Sequence, residues 1–190
     1  ISDYLKTGAI TNAVNTFSLT ASEYNTVQPY LKLSEQLGGF AGQLTENAIK
    51  KITVEFDGAV SKINTQPLIQ TIICFLLKKN FDGVNVINSV AVAKTKSIQI
   101  TTTKHEKAGE YQSSITLTIE TEKQTRSVSG TLFGGKPRIV NVKGIKIEAE
   151  LSKYNLYISN EDKPGFISDL SKILSENKIN IATFNLGRKK

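Results

Sequence analysis

The sequence predicts an α+β fold in which helices pack on an antiparallel sheet. Segments with apolar residues three and four positions apart predict helices, and segments in which apolar and polar residues alternate predict strands. Glycine-containing turns separate the strands at short intervals, which is typical of antiparallel sheets. A further strand, helix and strand follow at the C-terminal end, so we expect two structural units.

Two segments predict the helices of the first unit. Residues 21–44 carry an apolar helical face formed by Tyr30, Leu33, Leu37, Phe40 and Leu44. Residues 67–79 are apolar on nearly every side, which predicts a helix buried between a sheet and a neighbour. Residues 85–95 leave strand, turn and helix open as interpretations.

The apolar period changes to two at Ile52, Val54 and Phe56, which predicts the first strand. Asp57-Gly58 follows it and is a hairpin signal. Further strands are predicted at residues 97–103, 113–121, 124–133, 138–142 and 146–150. These strands complete the antiparallel sheet of the first unit.

The polar segments divide the chain. Residues 1–20 are interpreted as a tether, because Gly8 interrupts them and a polar extended run follows. We place the second boundary at residues 151–153. The first unit therefore spans residues 21–151, and the second spans residues 152–190.

The second unit has the pattern of a β-α-β structure. Leu156 and Ile158 alternate as in a half-buried strand, and Pro164 suits the first turn of a helix. The apolar face of that helix consists of Phe166, Ile167, Leu170, Ile173 and Leu174. Asn177 is expected to end the helix, and residues 179–186 predict the next strand.

Composition excludes several classes of function. At 39% hydrophobic residues, the 190-residue chain can bury a core of ordinary size. No apolar run reaches the ~18 residues of a membrane span, and the first residues lack a signal-peptide pattern, so we expect a soluble protein. The charge of +7 comes from scattered lysines, which argues against nucleic-acid binding and for small phosphorylated metabolites as partners. The absence of methionine suggests a piece of a longer polypeptide.

No residue set predicts catalysis or a metal site. The single cysteine, Cys74, lies among isoleucines and leucines, so we expect a buried thiol and a reducing cytoplasm. His105, with no second histidine or cysteine close in sequence, is interpreted as a solvated loop residue. Neither a Gly-x-Gly-x-x-Gly nor a Gly-x-Ser-x-Gly motif is present, and no nucleophile-base pair is evident.

A glycine-rich turn at Gly134 and Gly135 is the best candidate for anion binding. Glycines let backbone amides approach an anion closely, and Lys136 and Arg138 follow with positive charge. Lys146 joins them if the neighbouring strands pair. The alternative is a hairpin whose cations are only exposed.

Two groups of residues resemble known families. Residues 160–165 (Asn-Glu-Asp-Lys-Pro-Gly), Asn180 and residues 186–188 resemble the first half of an ACT domain, a small amino-acid sensor. Residues 130–140 and residues 7–15 resemble the C-terminal part of long-form D-3-phosphoglycerate dehydrogenases. The resemblance runs along essentially the whole chain.

This resemblance implies a parent enzyme that oxidises 3-phosphoglycerate to 3-phosphohydroxypyruvate with NAD in L-serine biosynthesis. It implies that NAD and the catalytic residues belong to a region before Ile1, and that this part contains neither. The first unit is then the intervening domain, which binds phosphorylated substrate or another anion at a regulatory site. The family further implies a cytoplasmic homo-oligomer.

For the second unit the resemblance implies an L-serine site at the strand-to-helix turn, across an interface between two such domains. The matching positions are Asn160, Asp162, Gly165 and Asn180. The alternative is that Asp162 only caps the helix and Asn180 only ends a turn. A full ACT domain has a β-α-β-β-α-β order resembling a ferredoxin, and these residues supply its first half.

Glu150 departs from the family pattern, since some relatives place a second arginine there. A carboxylate at that position would repel a phosphate. Two other functions stay open: the small chain of an iron-sulfur L-serine dehydratase, and a non-enzymatic amino-acid sensor subunit. The first lacks its Ser-Ser-Ser-His-Thr segment here, and Asn12-Ala13-Val14-Asn15 favours the dehydrogenase.

Overall fold

The computed structural model describes residues 20–161 and 163–188. In chain order the elements are α1 (Ala21–Leu44), β1 (Ile49–Gly58), a 3-10 turn (Ala59–Lys62), α2 (Gln66–Leu77), α3 (Ser89–Thr95), β2 (Gln99–His105), β3 (Ser113–Thr121), β4 (Thr125–Phe133), β5 (Lys136–Val142), β6 (Ile145–Ala149) and α4 (Phe166–Glu176). The predicted tether at residues 1–20 lies, apart from Thr20, outside the described residues. None of the helices over the described residues combines the length and apolarity that a bilayer span requires.

The six strands form one sheet in the order β2-β1-β3-β4-β5-β6. The α+β class is confirmed, but the sheet is mixed, because β1 and β2 are parallel while the other neighbours are antiparallel. The chain passes through α2 and α3 between β1 and β2, and such a crossover returns it to the end of the sheet where β1 began. The prediction of a wholly antiparallel sheet is therefore corrected at this pair.

The predicted hairpin at Asp57-Gly58 is wrong. β1 continues through both residues and leads into the 3-10 turn. Gly58 has φ of 72°, and a Cβ there would lie 2.2 Å from the Gln112 carbonyl oxygen. The Ala59 amide donates to that same oxygen over 3.1 Å. The glycine thus serves a close backbone approach to the start of β3.

The core lies between one face of the sheet and the helices α1 and α2. The largest fully buried side chains are Phe56, Leu33, Leu37, Ile52, Leu68, Ile72, Ile73, Leu76, Leu77, Ile115 and Leu117. Cys74 is buried on α2 as predicted, and burial raises the pKa of its thiol. The undecided residues 85–95 form a turn held by the Asn85 and Asn88 side chains, followed by α3.

Two glycines of α1 bring this helix into backbone contact with α2. A Cβ on Gly38 would lie 2.4 Å from the Ile72 carbonyl oxygen, and one on Gly42 would lie 2.7 Å from that of Leu76. Because the contact advances along both helices in the same direction, α1 and α2 pack in parallel. No side chain fits between them at these two positions.

The second unit consists of α4 between two unpaired segments. α4 forms over the predicted apolar face, and Asn177 ends it by donating its side-chain amide to the Ile173 carbonyl oxygen over 2.8 Å. The helix begins at Phe166, so Pro164 precedes it and does not occupy its first turn as predicted. Over residues 154–161 and 179–186 the described chain has no strand pairing. A strand requires a neighbour for its backbone groups, and the described residues supply none here.

Contacts between the second unit and the first include Tyr157 and Gly187. The Tyr157 ring packs edge-on against Phe40 of α1, with ring centroids 5.6 Å apart. Gly187 lies against the edge strand β6, where a Cβ would approach Ile145 Cγ2 to 2.7 Å.

Candidate functional site

The glycine turn joins β4 to β5 as a tight hairpin. Gly134 and Gly135 have φ of 55° and 77°. Positive φ at both central residues is what a two-residue type I′ hairpin turn requires. A Cβ on either would meet nothing within 4 Å, so the glycines serve the backbone conformation. Lys136 follows the turn and is exposed. At this turn the structure matches the hairpin interpretation.

Arg138 of β5 forms an ion pair with a carboxylate just after the neighbouring strand β6. It lies opposite Thr131 of β4, and its other neighbour is the end of β6, where Ile139 pairs with Ala149. This register places Glu150 beside it, and the Arg138 guanidinium donates to the Glu150 carboxylate. The arginine side chain is 26% exposed, so its end of the ion pair is partly buried.

Three cations act on this one carboxylate. The Arg138 hydrogen bond and charge lower the pKa of Glu150, and the charges of Lys136 and Lys32 lower it further. Lys32 belongs to α1, whereas the other two belong to β5. Glu150 therefore occupies a position that one strand and one helix make electropositive, which is where an external anion would also be attracted.

Lys146 is paired with a different carboxylate. Its ammonium donates to both oxygens of Glu110 over 2.6 and 2.7 Å, which raises the pKa of Lys146. Glu110 lies in the connection between β2 and β3. Both side chains are well exposed, so we assign the pair little stability.

The structure thus brings Lys136 and Arg138 together around Glu150 and places Lys146 on the same sheet face with its own partner. Lys32 and Glu110 were not predicted as members of the site. Lys32 follows no binding motif, and nothing in the sequence around Glu110 indicates that its loop reaches β6. Both contacts depend on the tertiary fold.

The four residues of the expected serine site are less organised. Asn160 donates its side-chain amide to the carbonyl oxygen of its neighbour Glu161 over 2.7 Å. Gly165, with φ of 94°, is the N-cap of α4, and Asn180 is exposed. Asp162 lies outside the described residues. Within residues 154–161 and 163–188, no hydrogen bond joins Asn160, Gly165 and Asn180.

No metal site is present among the described residues, since no three histidine, cysteine or acidic side chains are grouped to hold an ion. His105 ends β2 opposite Asp57 and is exposed, so it belongs to a strand and not to a loop. An open depression of about 350 Å³ lies between the start of α1 and the 3-10 turn and is lined by Glu23, Thr26, Val27, Lys62, Ile63 and Asn64. It shares no residue with either predicted site.

Comparison with known proteins places these features in a family. The family described as "D-3-phosphoglycerate dehydrogenase intervening domain" matches residues 26–143. Three proteins named D-3-phosphoglycerate dehydrogenase are similar to the chain. The protein of Synechocystis is 33% identical over 94% of this chain, that of Bacillus subtilis 27% over 95%, and that of Methanocaldococcus jannaschii 27% over 94%. The chain spans about a third of the length of each, namely 33%, 35% and 34%.

Proposed function

The chain belongs to the D-3-phosphoglycerate dehydrogenase intervening-domain family, and from this premise we propose that it is the regulatory and oligomerisation region of such an enzyme. The parent enzyme oxidises 3-phosphoglycerate to 3-phosphohydroxypyruvate with NAD in L-serine biosynthesis. NAD and the catalytic groups belong to the other part of that enzyme. The family match favours this assignment over the small chain of an L-serine dehydratase and over an independent sensor subunit.

The observation that carries the proposal is the convergence of Arg138, Lys136 and Lys32 on Glu150. An internal carboxylate in that position imitates a bound anion. The phosphate of 3-phosphoglycerate would replace Glu150 against Arg138, because a dianion with three acceptor oxygens satisfies several cations at once. Displacement of Glu150 makes this site weaker than one with a second arginine.

The second unit would supply serine binding and assembly. The resemblance assigns an L-serine site to Asn160, Asp162, Gly165 and Asn180. Large apolar side chains of the unit are exposed: Tyr154, Leu156, Ile158, Ile167, Ile173, Ile179, Ile181, Phe184 and Leu186. Exposed apolar surface of this extent marks a contact with another protein surface, and we assign it to a second copy of the enzyme in a homo-oligomer. The buried, unpaired Cys74 thiol fits a cytoplasmic protein.

Calorimetric titration tests both halves of the proposal. The chain, with its native flanking sequence, is titrated separately with 3-phosphoglycerate and with L-serine. Arg138→Gln should weaken 3-phosphoglycerate binding by about tenfold or more, because a charge-assisted hydrogen bond is lost. Asp162→Asn should do the same for serine alone.

Matched controls separate specific from general charge effects. Lys50→Gln breaks the exposed pair with Glu122 elsewhere on the sheet and should leave 3-phosphoglycerate binding unchanged. Glu161→Gln removes the carboxylate beside Asp162 and should leave serine binding unchanged. If neither ligand binds the wild-type chain, the regulatory role fails and only the assembly role is left.

A further inference from the structure

A second cluster of positive charge lies at one corner of the sheet. The start of β4, the β5–β6 turn and the segment after residue 151 are close together at this corner. Arg126 is the second residue of β4, and Lys143 is in the β5–β6 turn. The Lys143 amide donates to the Ser127 carbonyl oxygen over 2.8 Å, which holds the turn against the start of β4. The Lys143 ammonium lies 5.5 Å from the centroid of the Tyr157 ring. Three parts of the chain thus meet here.

The two cations of this corner form no ion pair among the described residues. Neither Arg126 nor Lys143 has a carboxylate within 4 Å among the described residues, in contrast to Arg138 and Lys146. The Arg126 Nε is buried without a hydrogen-bond partner. Buried polar groups are nearly always satisfied, so this guanidinium N–H is left for an acceptor outside the protein, either a water molecule or an anion.

The electrostatics of Lys143 agree with an excess of positive charge. Burial and the Arg126 charge lower the pKa of Lys143, while the smaller effect of the Glu46 charge acts in the opposite direction. The single carboxylate therefore does not neutralise the pair. An anion placed between the two cations would remove their repulsion.

We propose that Arg126 and Lys143 form a binding site for a phosphate group, with the Tyr157 ring as its third wall. A guanidinium binds the oxygens of a phosphate through its N–H donors, and the ammonium takes a further oxygen as a point charge. Two positive charges without a close carboxylate match a phosphate monoester dianion better than a carboxylate, which carries one charge.

This site is separate from the Arg138 site and does not depend on it. Arg126 lies on the same side of β4 as the core residue Val128, because side chains alternate along a strand. Arg138 lies on the opposite face, beside Thr131. The two positions are roughly 16 Å apart along β4, so one phosphate cannot bridge them.

Titration of the full chain with inorganic phosphate, followed by calorimetry, tests the site. Arg126→Gln and Lys143→Asn should each weaken saturable phosphate binding by about tenfold or more, and asparagine suits the positive φ of 53° at Lys143. Arg126→Lys should restore part of the affinity, because it returns the charge without the bidentate geometry. Sodium acetate should bind more weakly than phosphate to the wild-type chain.

Two control variants make the outcomes distinguishable. Lys123→Gln removes an exposed charge from the nearby β3–β4 turn and should have no effect. If Arg138→Gln abolishes phosphate binding while Arg126→Gln does not, the Arg138 site is the phosphate site and the present inference is overturned. The absence of saturable phosphate binding would likewise overturn it, since water would then satisfy the Arg126 Nε.

Discussion

Helices α1 and α4 each have an apolar face, but the two faces differ in burial. On α1, Leu33 and Leu37 are fully buried, and the Leu33 side chain reaches Gly130 of β4. On α4 no residue is buried, and Ile167 and Ile173 are 48% and 57% exposed. A periodic sequence therefore determines that a helix has an apolar face, while the presence of a second surface determines whether that face becomes a core.

The sharpest test of this contrast removes one apolar side chain from each helix. Leu33→Ala should lower the free energy of unfolding by about 3 kcal/mol, because it leaves a cavity against β4. Ile173→Ala on α4 should lower it by less than about 0.5 kcal/mol. Urea unfolding measures both. Equal losses would mean that α4 is buried against another surface under the conditions of measurement.

The second test concerns the close backbone contact between α1 and α2 in the first unit. Gly38→Ala should cost about 2 kcal/mol, since its Cβ would overlap the Ile72 carbonyl oxygen and the two helices would have to separate. Gly39→Ala is the matched control, because a Cβ at Gly39 meets nothing within 4 Å. It should be neutral or slightly stabilising, since alanine favours helix. A harmful Gly39→Ala would show that general helix substitution, and not the contact, sets the loss.

The smallest effect is expected at the border between the two units. Arg138 lowers the pKa of Glu150 below its ordinary value of 4.5. A carboxyl group whose pKa is lowered by folding stabilises the fold above the unfolded pKa and loses that contribution as the pH falls through the folded pKa. Glu150→Gln should therefore lower the Tm slightly at pH 7 and leave it unchanged at strongly acidic pH.

Glu148→Gln is the comparison for this last variant, since it removes an exposed carboxylate of β6 two residues before Glu150. Its Tm profile with pH should follow the wild type more closely than that of Glu150→Gln. If the two variants behave alike, the Arg138 pair adds nothing to the end of the sheet.

Local patterns predicted the elements well and their partners poorly. The face of α1, the apolar α2 and the alternation along β3 follow from residue spacing, and each appears where predicted. The parallel pairing of β1 with β2 does not, because it depends on how α2 and α3 fold back. Asp57-Gly58 shows the same limit, because Gly58 is required by its close approach to the backbone of Gln112, more than fifty residues away.

For the candidate site, too, the sequence predicted individual residues but not their contacts. Lys136, Arg138 and Lys146 could be predicted as cations near a glycine turn. Their carboxylate partners could not be assigned, because Glu110 reaches Lys146 only through the folded β2–β3 loop. Arg126 has no motif around it, and only its buried, unsatisfied Nε distinguishes it.

The edge-on contact between Phe40 and Tyr157 offers a built-in optical probe. The chain has no tryptophan, so Phe40→Trp would introduce a single indole against the Tyr157 ring of the C-terminal segment. The emission of that indole would shift to longer wavelength when the segment detaches and water reaches the ring. Docking and release of the segment could then be followed in real time, apart from unfolding of the sheet.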